Sequence, residues 1–258
     1  MNPDALLALA DSIARDAGAV LLESFAGPSR EVTAKSTPTD LVSAADLATE
    51  RLIRERLAEA RPYDAIMGEE GDDFEPEDPS GLRWVVDPLD GTTNFLFGIP
   101  QWAVSIAVQD ADGRAVAGVV YDPPRGEMWA ATRDGNATLD GLPTHGSQRA
   151  DLATALVATG FGYDAHVREA QAAVIARLLG QVRDIRRLGS AALDLAWTAA
   201  GRYDAYFERG VQAWDVAAGQ LICERAGLAV SQLAPSAHVP RGLLVASPAL
   251  LGPLEVLL

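Results

Sequence analysis

The stretch WVVDPLDGTTNF, Trp84 to Phe95, places two aspartates three positions apart. An apolar run that reads as a strand precedes them, and a small polar stretch that can open a helix follows. Pro88 fixes φ for a turn directly after Asp87, so the carboxylates of Asp87 and Asp90 project from one tight corner. Two like charges about 4 Å apart repel by ~4 kcal/mol at an effective dielectric of 20, so such a corner requires a shared proton or an intervening cation. A hard divalent cation is the simplest remedy. If Gly91 to Asn94 opens a helix, its unpaired backbone N–H groups form an anion site of phosphate size. An Asx turn with an aspartate N-cap is the plainer alternative.

Working outward, Glu69 and Glu70 in "GEE" end the preceding strand, and Asp215 in "WDVAAG" opens a later helix. Mg²⁺ takes oxygen ligands, keeps several waters and uses substrate phosphate as a further ligand, so dispersed acids converging on one corner suit it. The bulk composition is that of a globular chain of 258 residues, 48% hydrophobic and 22% charged, a length that suits one large α/β unit. The single Cys223 and three histidines, His145, His166 and His238, make thiolate or zinc chemistry a poor fit. A formal net charge of −15 argues against nucleic acid as a partner. Without an 18-residue apolar run or a basic leader, no membrane association is expected and a cytoplasmic location is.

Along the chain, Leu6, Leu9, Ile13, Ala17, Val20 and Leu21 fall at helical spacing, which predicts a helix from Pro3 to about Phe25. A second helix is expected with Asp40 as N-cap, ending before Pro62. Strands follow in "YDAIMGEE", "RWVVD", "WAVSIAVQD", "RAVAGVVYDP" and "GEMWAAT", with a hairpin at Asp140-Gly141, which together read as an antiparallel meander. After residue 150 strands and helices alternate: "ALVATGF" β, "REAQAAVIARLLG" α, "GSAALDLAWTAAG" α, "YDAYFE" β, "WDVAAGQLICERAG" α, "GLLVAS" β and a short last helix. Such mixing implies layered α and β elements, with only a soft boundary near residue 150.

"DPLDGTTNF" and "WDVAAGQLICERAG" resemble the two signature motifs of the inositol monophosphatase family, Mg²⁺-dependent and typically lithium-sensitive phosphatases. "KSTPTDLVSAAD" (35–46), "GEE" and "RRLGSAALDLAWTAAGRYDAYFE" (186–208) are similar to further family blocks in the same order, as in bacterial members. The resemblance implies an α/β fold, α+β mixed, arranged as a five-layer α/β/α/β/α sandwich and assembled as a homodimer. Residues 1–258 would form a single phosphatase domain of two packed halves, with the metal-site half at roughly 1–149 and the substrate-side half at 150–258.

The resemblance also implies roles. Glu69, Asp87 and the Leu89 carbonyl would hold one Mg²⁺, and Asp87, Asp90 and Asp215 a second; Glu69 would serve a weaker third ion, with Glu70 nearby through water. Two to three ions are thus implied. Thr92 would orient the attacking water and Asp46 would accept its proton, without a phospho-enzyme. Asp46 shares a helical stripe with Val42, Ile53 and Leu57, so its carboxylate must find a partner within apolar packing; a helix-surface salt bridge is the alternative. The N–H groups of Gly91 and Thr92 would receive the phosphate. Ser190 and Ala191 match a helix start that touches the substrate alcohol, although Ser190 also suits simple N-capping. Glu208 matches an acid that hydrogen-bonds inositol hydroxyls, and Lys35 matches a charge near the metal-site loop. Trp84 and Trp214 read as packing.

The substrate so implied is a small phosphomonoester, inositol 1-phosphate or a similar polyol phosphate. Histidinol phosphate is the second enzyme reading, and a metal-dependent binding or regulatory protein without turnover is the reading from another class. With 21 Lys and Arg in total, no cluster for a second phosphate is visible.

Overall fold

The computed structural model describes residues 2–27, 32–34 and 41–258. Helix α1, Pro3–Ala26, is capped by Asn2, whose side chain accepts from the Asp4 N–H at 3.1 Å. Of its predicted stripe, Leu6, Ile13, Ala17 and Leu21 are buried, joined by Ala10 and Ala14, while Leu9 and Val20 are half-buried. Strands β1, Val32–Ala34, and β2, Leu41–Ser43, pair antiparallel and lead into α2, Ala44–Ala60. The cap of α2 is therefore Ser43 and not Asp40, which lies outside the described residues. A capping box settles the start: Ser43 accepts from the Asp46 N–H, and the Asp46 carboxylate accepts from the Ser43 N–H. Val42 accordingly belongs to β2, ahead of the stripe in which it was expected.

Seven strands then form the first sheet in sequence order: β3 Ala65–Gly68, β4 Arg83–Asp90, β5 Ala103–Gln109, β6 Ala115–Asp122, β7 Glu127–Thr132, β8 Thr138–Leu139 and β9 Leu142–Pro143, with the short helix α3, Thr92–Leu96, after β4. All neighbours pair antiparallel except β3 and β4, which are parallel. The β8–β9 hairpin turns at Asp140 and Gly141, both with positive φ as a tight primed turn requires. The second sheet has the order β11-β10-β12-β14-β13, built from β10 Leu156–Thr159, β11 Asp184–Arg186, β12 Ala205–Arg209, β13 Ala229–Leu233 and β14 Gly242–Ala246. Helix α4, Ala165–Leu178, crosses from β10 to its parallel neighbour β11; α5, Ala191–Ala199, α6, Ala213–Arg225, and α7, Pro248–Glu255, complete the chain.

Three cores give the layering. One face of the first sheet packs on α1 and α2, burying Ile13, Ile53, Trp84 and Ile106. The opposite face shares Val85, Val120 and Trp129 with α5, α6 and the inner face of the second sheet. The outer face of that sheet carries Val157, Phe207 and Leu244 against α4 and α7, through Leu178, Leu250 and Leu254. The result is the five-layer α/β/α/β/α sandwich. Both faces of the first sheet are covered, which is why β4 and β5 read as near-continuous apolar runs. Trp84 is packing, as read, and donates its indole N–H to the buried Asp64 at 2.9 Å.

Close approach sets α6 in place. A Cβ at Gly118 of β6 would lie 3.0 Å from Ala218 Cα, and one at Gly219 would lie 2.6 Å from Leu195 Cβ of α5. Glycine at both points lets α6 lie tight between sheet and helix, so its first turn and Asp215 are rigidly carried.

Candidate active site

Residues three apart on a strand normally face opposite sides, so Asp87 and Asp90 should diverge. They do not, because the ladder slips between them: Asp87 pairs with Ser105 and Asp90 with Ala103, three steps on β4 against two on β5. The extra residue is a bulge, and Pro88, which has no N–H to leave unpaired, sits inside it. Both carboxylates thereby open on one cavity of about 350 Å³. Asp87 is held from within by the Leu89 N–H, 3.0 Å from its Oδ1.

Gly91 ends the bulge with φ +101°, and a Cβ there would meet the Gln101 carbonyl oxygen at 2.9 Å, so only glycine fits. Its left-handed turn starts α3, which presents Thr92 beside the two aspartates. The Thr92 hydroxyl lies 3.0 Å from Asp46 Oδ1 and 3.1 Å from the Leu89 carbonyl oxygen. Asp46 is fully buried and takes further hydrogen bonds from Ser43, so the surface salt-bridge alternative falls. Burial raises its carboxyl above the ordinary value despite those donors.

Asp215 enters from the first turn of α6, where it accepts from the Gln212 N–H at 2.6 Å. Ser190 caps α5 as expected, and does more: its hydroxyl donates to Asp90 Oδ2 at 2.5 Å, and the Ala192 N–H donates to the same oxygen at 2.6 Å. Glu69, Leu89, Ala191 and Glu208 also line the cavity, together with Trp214. Trp214 thus borders the site as well as packing on α5 and α6 neighbours. Glu70 is not among the lining residues; its N–H donates to Glu50 at 2.8 Å. Lys35 lies outside the described residues.

The electrostatics are lopsided. Among the described residues no Lys or Arg pairs with Asp87, Asp90 or Asp215. Burial, then the charges of Glu69, Asp90 and Asp215, push Asp87 well up. Burial and Asp90 do the same to Asp215. Burial raises Asp90 to about 6, against the opposing pull of Ser190 and Ala192. Glu208 is raised to about 7 by burial, with the Tyr206 hydroxyl 2.9 Å from its Oε2.

Two acids that sequence reading passed over support this set. Glu50 accepts from the N–H groups of Glu70 and Gly71 and pairs with Arg54, fixing the turn that carries Glu69. It lies one helical turn beyond Asp46, and that spacing was its available signal. Asp194, on α5, is 1% exposed, has an Oδ1 without a partner, and is pushed well up by burial and the neighbouring Glu208. Arg187 also lines the cavity, its guanidinium 5.7 Å from the Phe161 ring centre.

Among the described residues no three His, Cys, Asp or Glu side chains are gathered into a ready-made metal shell. The donor set is nonetheless all oxygen, carboxylates and one carbonyl. That suits Mg²⁺, which takes one or two carboxylates per ion and keeps its waters. Buried carboxylates that no Lys or Arg pairs with among the described residues fit such ions on charge grounds as well.

Oxygen donors and backbone N–H groups around one cavity of a layered α/β fold suit the chemistry of phosphate esters. The chain belongs to the inositol monophosphatase family, whose profile matches residues 2–254, and this membership supports a phosphatase hydrolase. It is 44% identical over 252 residues to an "Inositol-1-monophosphatase" of Mycobacterium leprae, covering 89% of this chain and 84% of that one. A protein of Escherichia coli K12 named "Nus factor SuhB" is 40% identical over 232 residues, covering 90% and 85%. The solved structure of the extragenic suppressor protein suhB from Bartonella henselae superposes with a TM-score of 0.91 at 34% identity, covering 98% of each chain. No described helix is long and apolar enough to cross a membrane.

Proposed function

We propose that this protein is a Mg²⁺-dependent phosphomonoesterase acting on inositol 1-phosphate or a similar small polyol phosphate. The observation that carries the reading is the cavity that Asp87, Asp90 and Asp215 line together, none of them ion-paired to a Lys or Arg among the described residues, although Arg187 and Arg209 border the same cavity. Glu69, Asp87 and the Leu89 carbonyl would hold one ion, and Asp87, Asp90 and Asp215 another; Glu69 would take part in a third, with Glu70 acting through water. Bound divalent ions supply an activated water and neutralise charge on the phosphoryl and leaving oxygens.

The chain's own residues do the rest. The Thr92 hydroxyl, with one proton to give and lone pairs to receive, orients the attacking water. Asp46 Oδ1, 3.0 Å behind it, accepts the proton that this water releases through Thr92. Backbone N–H groups of Gly91 and Thr92 receive the phosphate, and Asp90 is held in line by Ser190 and the first turn of α5. Ala191, Glu208 and Asp215 border the alcohol. A homodimer would cover Phe97 and Ile99, which a single copy leaves 74% and 49% exposed.

The buried acid Glu208, which lines the cavity, leaves one second substrate open, histidinol phosphate, whose amine it would receive. The name of the E. coli relative keeps a binding or regulatory role without turnover as the contrasting reading. Phosphate release from myo-inositol 1-phosphate and L-histidinol phosphate, compared by kcat/KM in Mg²⁺, decides among them. The inositol ester should be preferred, and Glu208→Gln should erode that preference by about tenfold or more. Preference for histidinol phosphate would replace the substrate, and release from neither would end the enzyme reading for both esters.

A further inference from the structure

A second cavity, of about 430 Å³, lies at the opposite end of the first sheet from the acid-lined one. Strand β5 connects the two regions: Ala103 pairs with Asp90, while Gln109 lines the second cavity six residues on, about 20 Å along an extended strand. A further wall is α6 from Ala217 to Arg225, the latter about 15 Å along the helix from Asp215.

Three arginines from three separate segments meet here: Arg114 before β6, Arg133 after β7 and Arg225 at the end of α6. In a chain of net charge −15 this concentration is unusual, and spacings of 19 and 92 residues hide it from the sequence. Two of the three are anchored by backbone. Arg133 donates to the Ala115 and Arg114 carbonyls at 2.9 and 2.7 Å and pairs with Asp110, and Arg225 Nε donates to the Gly135 carbonyl at 2.7 Å. The guanidinium of Arg114 has no hydrogen-bond or ion-pair partner among the described residues. Facing charges of the other sign are Asp110, engaged by Arg133, and Glu224, engaged by Gln220 at 2.8 Å. These two, and the negative end of α6, oppose an anion. Three guanidiniums outweigh them, because each offers several N–H donors in a planar fork to an oxyanion.

We infer that this cavity is a binding site for a small phosphate-bearing anion, separate from the acid-lined site. A doubly charged tetrahedral group can accept from Arg114 and the free N–H groups of Arg133 and Arg225 at once, which a single carboxylate cannot do equally well.

Amide NMR on the full-length, metal-free protein tests it, with inorganic phosphate, sulfate and acetate titrated at matched ionic strength. Phosphate and sulfate should move the Gly113, Arg114 and Gln220 signals saturably, with acetate at least tenfold weaker. Arg114→Gln, an exposed and unpartnered change, should weaken phosphate about tenfold at these signals, the worth of one charge-assisted contact, and leave basal turnover unchanged. Arg225→Gln should weaken it likewise. No saturable shift at these positions, equal response to acetate, or phosphate binding that survives both substitutions would overturn the site. Because Gly91 and Thr92 report the acid-lined cavity separately, failure here leaves the proposed activity untouched.

Discussion

Asp90→Asn is expected to abolish phosphate release, by about 10³-fold or more in kcat, while making the metal-free protein more stable. Both effects come from one cause. Asp90 is folded into a place where burial raises its carboxyl to about 6, from an ordinary 3.8. The folded state therefore holds a proton that the unfolded chain gives up sooner. The sign follows: stability is greatest below pH ~4 for this group and is lost as pH rises towards and through about 6. Roughly two units correspond to about 3 kcal/mol at most, and less where the lost hydrogen-bond strength of Asn offsets it. Asn keeps an oxygen for Ser190 and Ala192 and carries no charge. Without metal, the variant should melt several degrees above the parent at pH 8, with the gap closing near pH 4. Added Mg²⁺ should raise the parent and narrow the gap, since a ligand of the folded state stabilises it by mass action. Equal melting temperatures at pH 8 without metal would show that Asp90 carries no repulsive burden.

The second large effect concerns the proton path. Asp46→Asn and Thr92→Val should each lower kcat by about 10²- to 10⁴-fold with little change in KM, because the proposed role of both is on the attacking water and not on substrate affinity. The double variant should be scarcely worse than either alone, since the two side chains work as one unit joined at 3.0 Å. Full multiplication of the two losses would separate Asp46 from Thr92. A fall in KM-limited affinity alone would make both residues binding groups.

What the sequence makes legible here is chemistry carried by local spacing. The stripe that buries α1 and the capping role of Ser190 follow from local rules, as does the expectation that Asp46 must find a partner. The pair Asp87 and Asp90 is legible as a charge problem, but their convergence is not, because it depends on a bulge opposite β5 that no local pattern announces. Strands β11 and β13 are missed for a related reason. They are the two edges of the second sheet, short and partly exposed, and their sequences DIR and AVSQL look like loops. Asp40 is a good cap by residue type, yet the Ser43–Asp46 box starts α2 three residues later. Glu50, Asp194 and the three arginines near α6 owe their surroundings to tertiary contacts between distant segments. Their residue types alone give no reason to select them over other acids and arginines, most of which are solvated.

If the proposed activity holds, the acid-lined cavity turns over phosphate esters only when divalent cations compensate its charge. Phosphate release from myo-inositol 1-phosphate should be followed in protein stripped with a chelator, then across a Mg²⁺ titration. No release is expected from the stripped protein, with saturable recovery in Mg²⁺. Undiminished release from the stripped protein would contradict it.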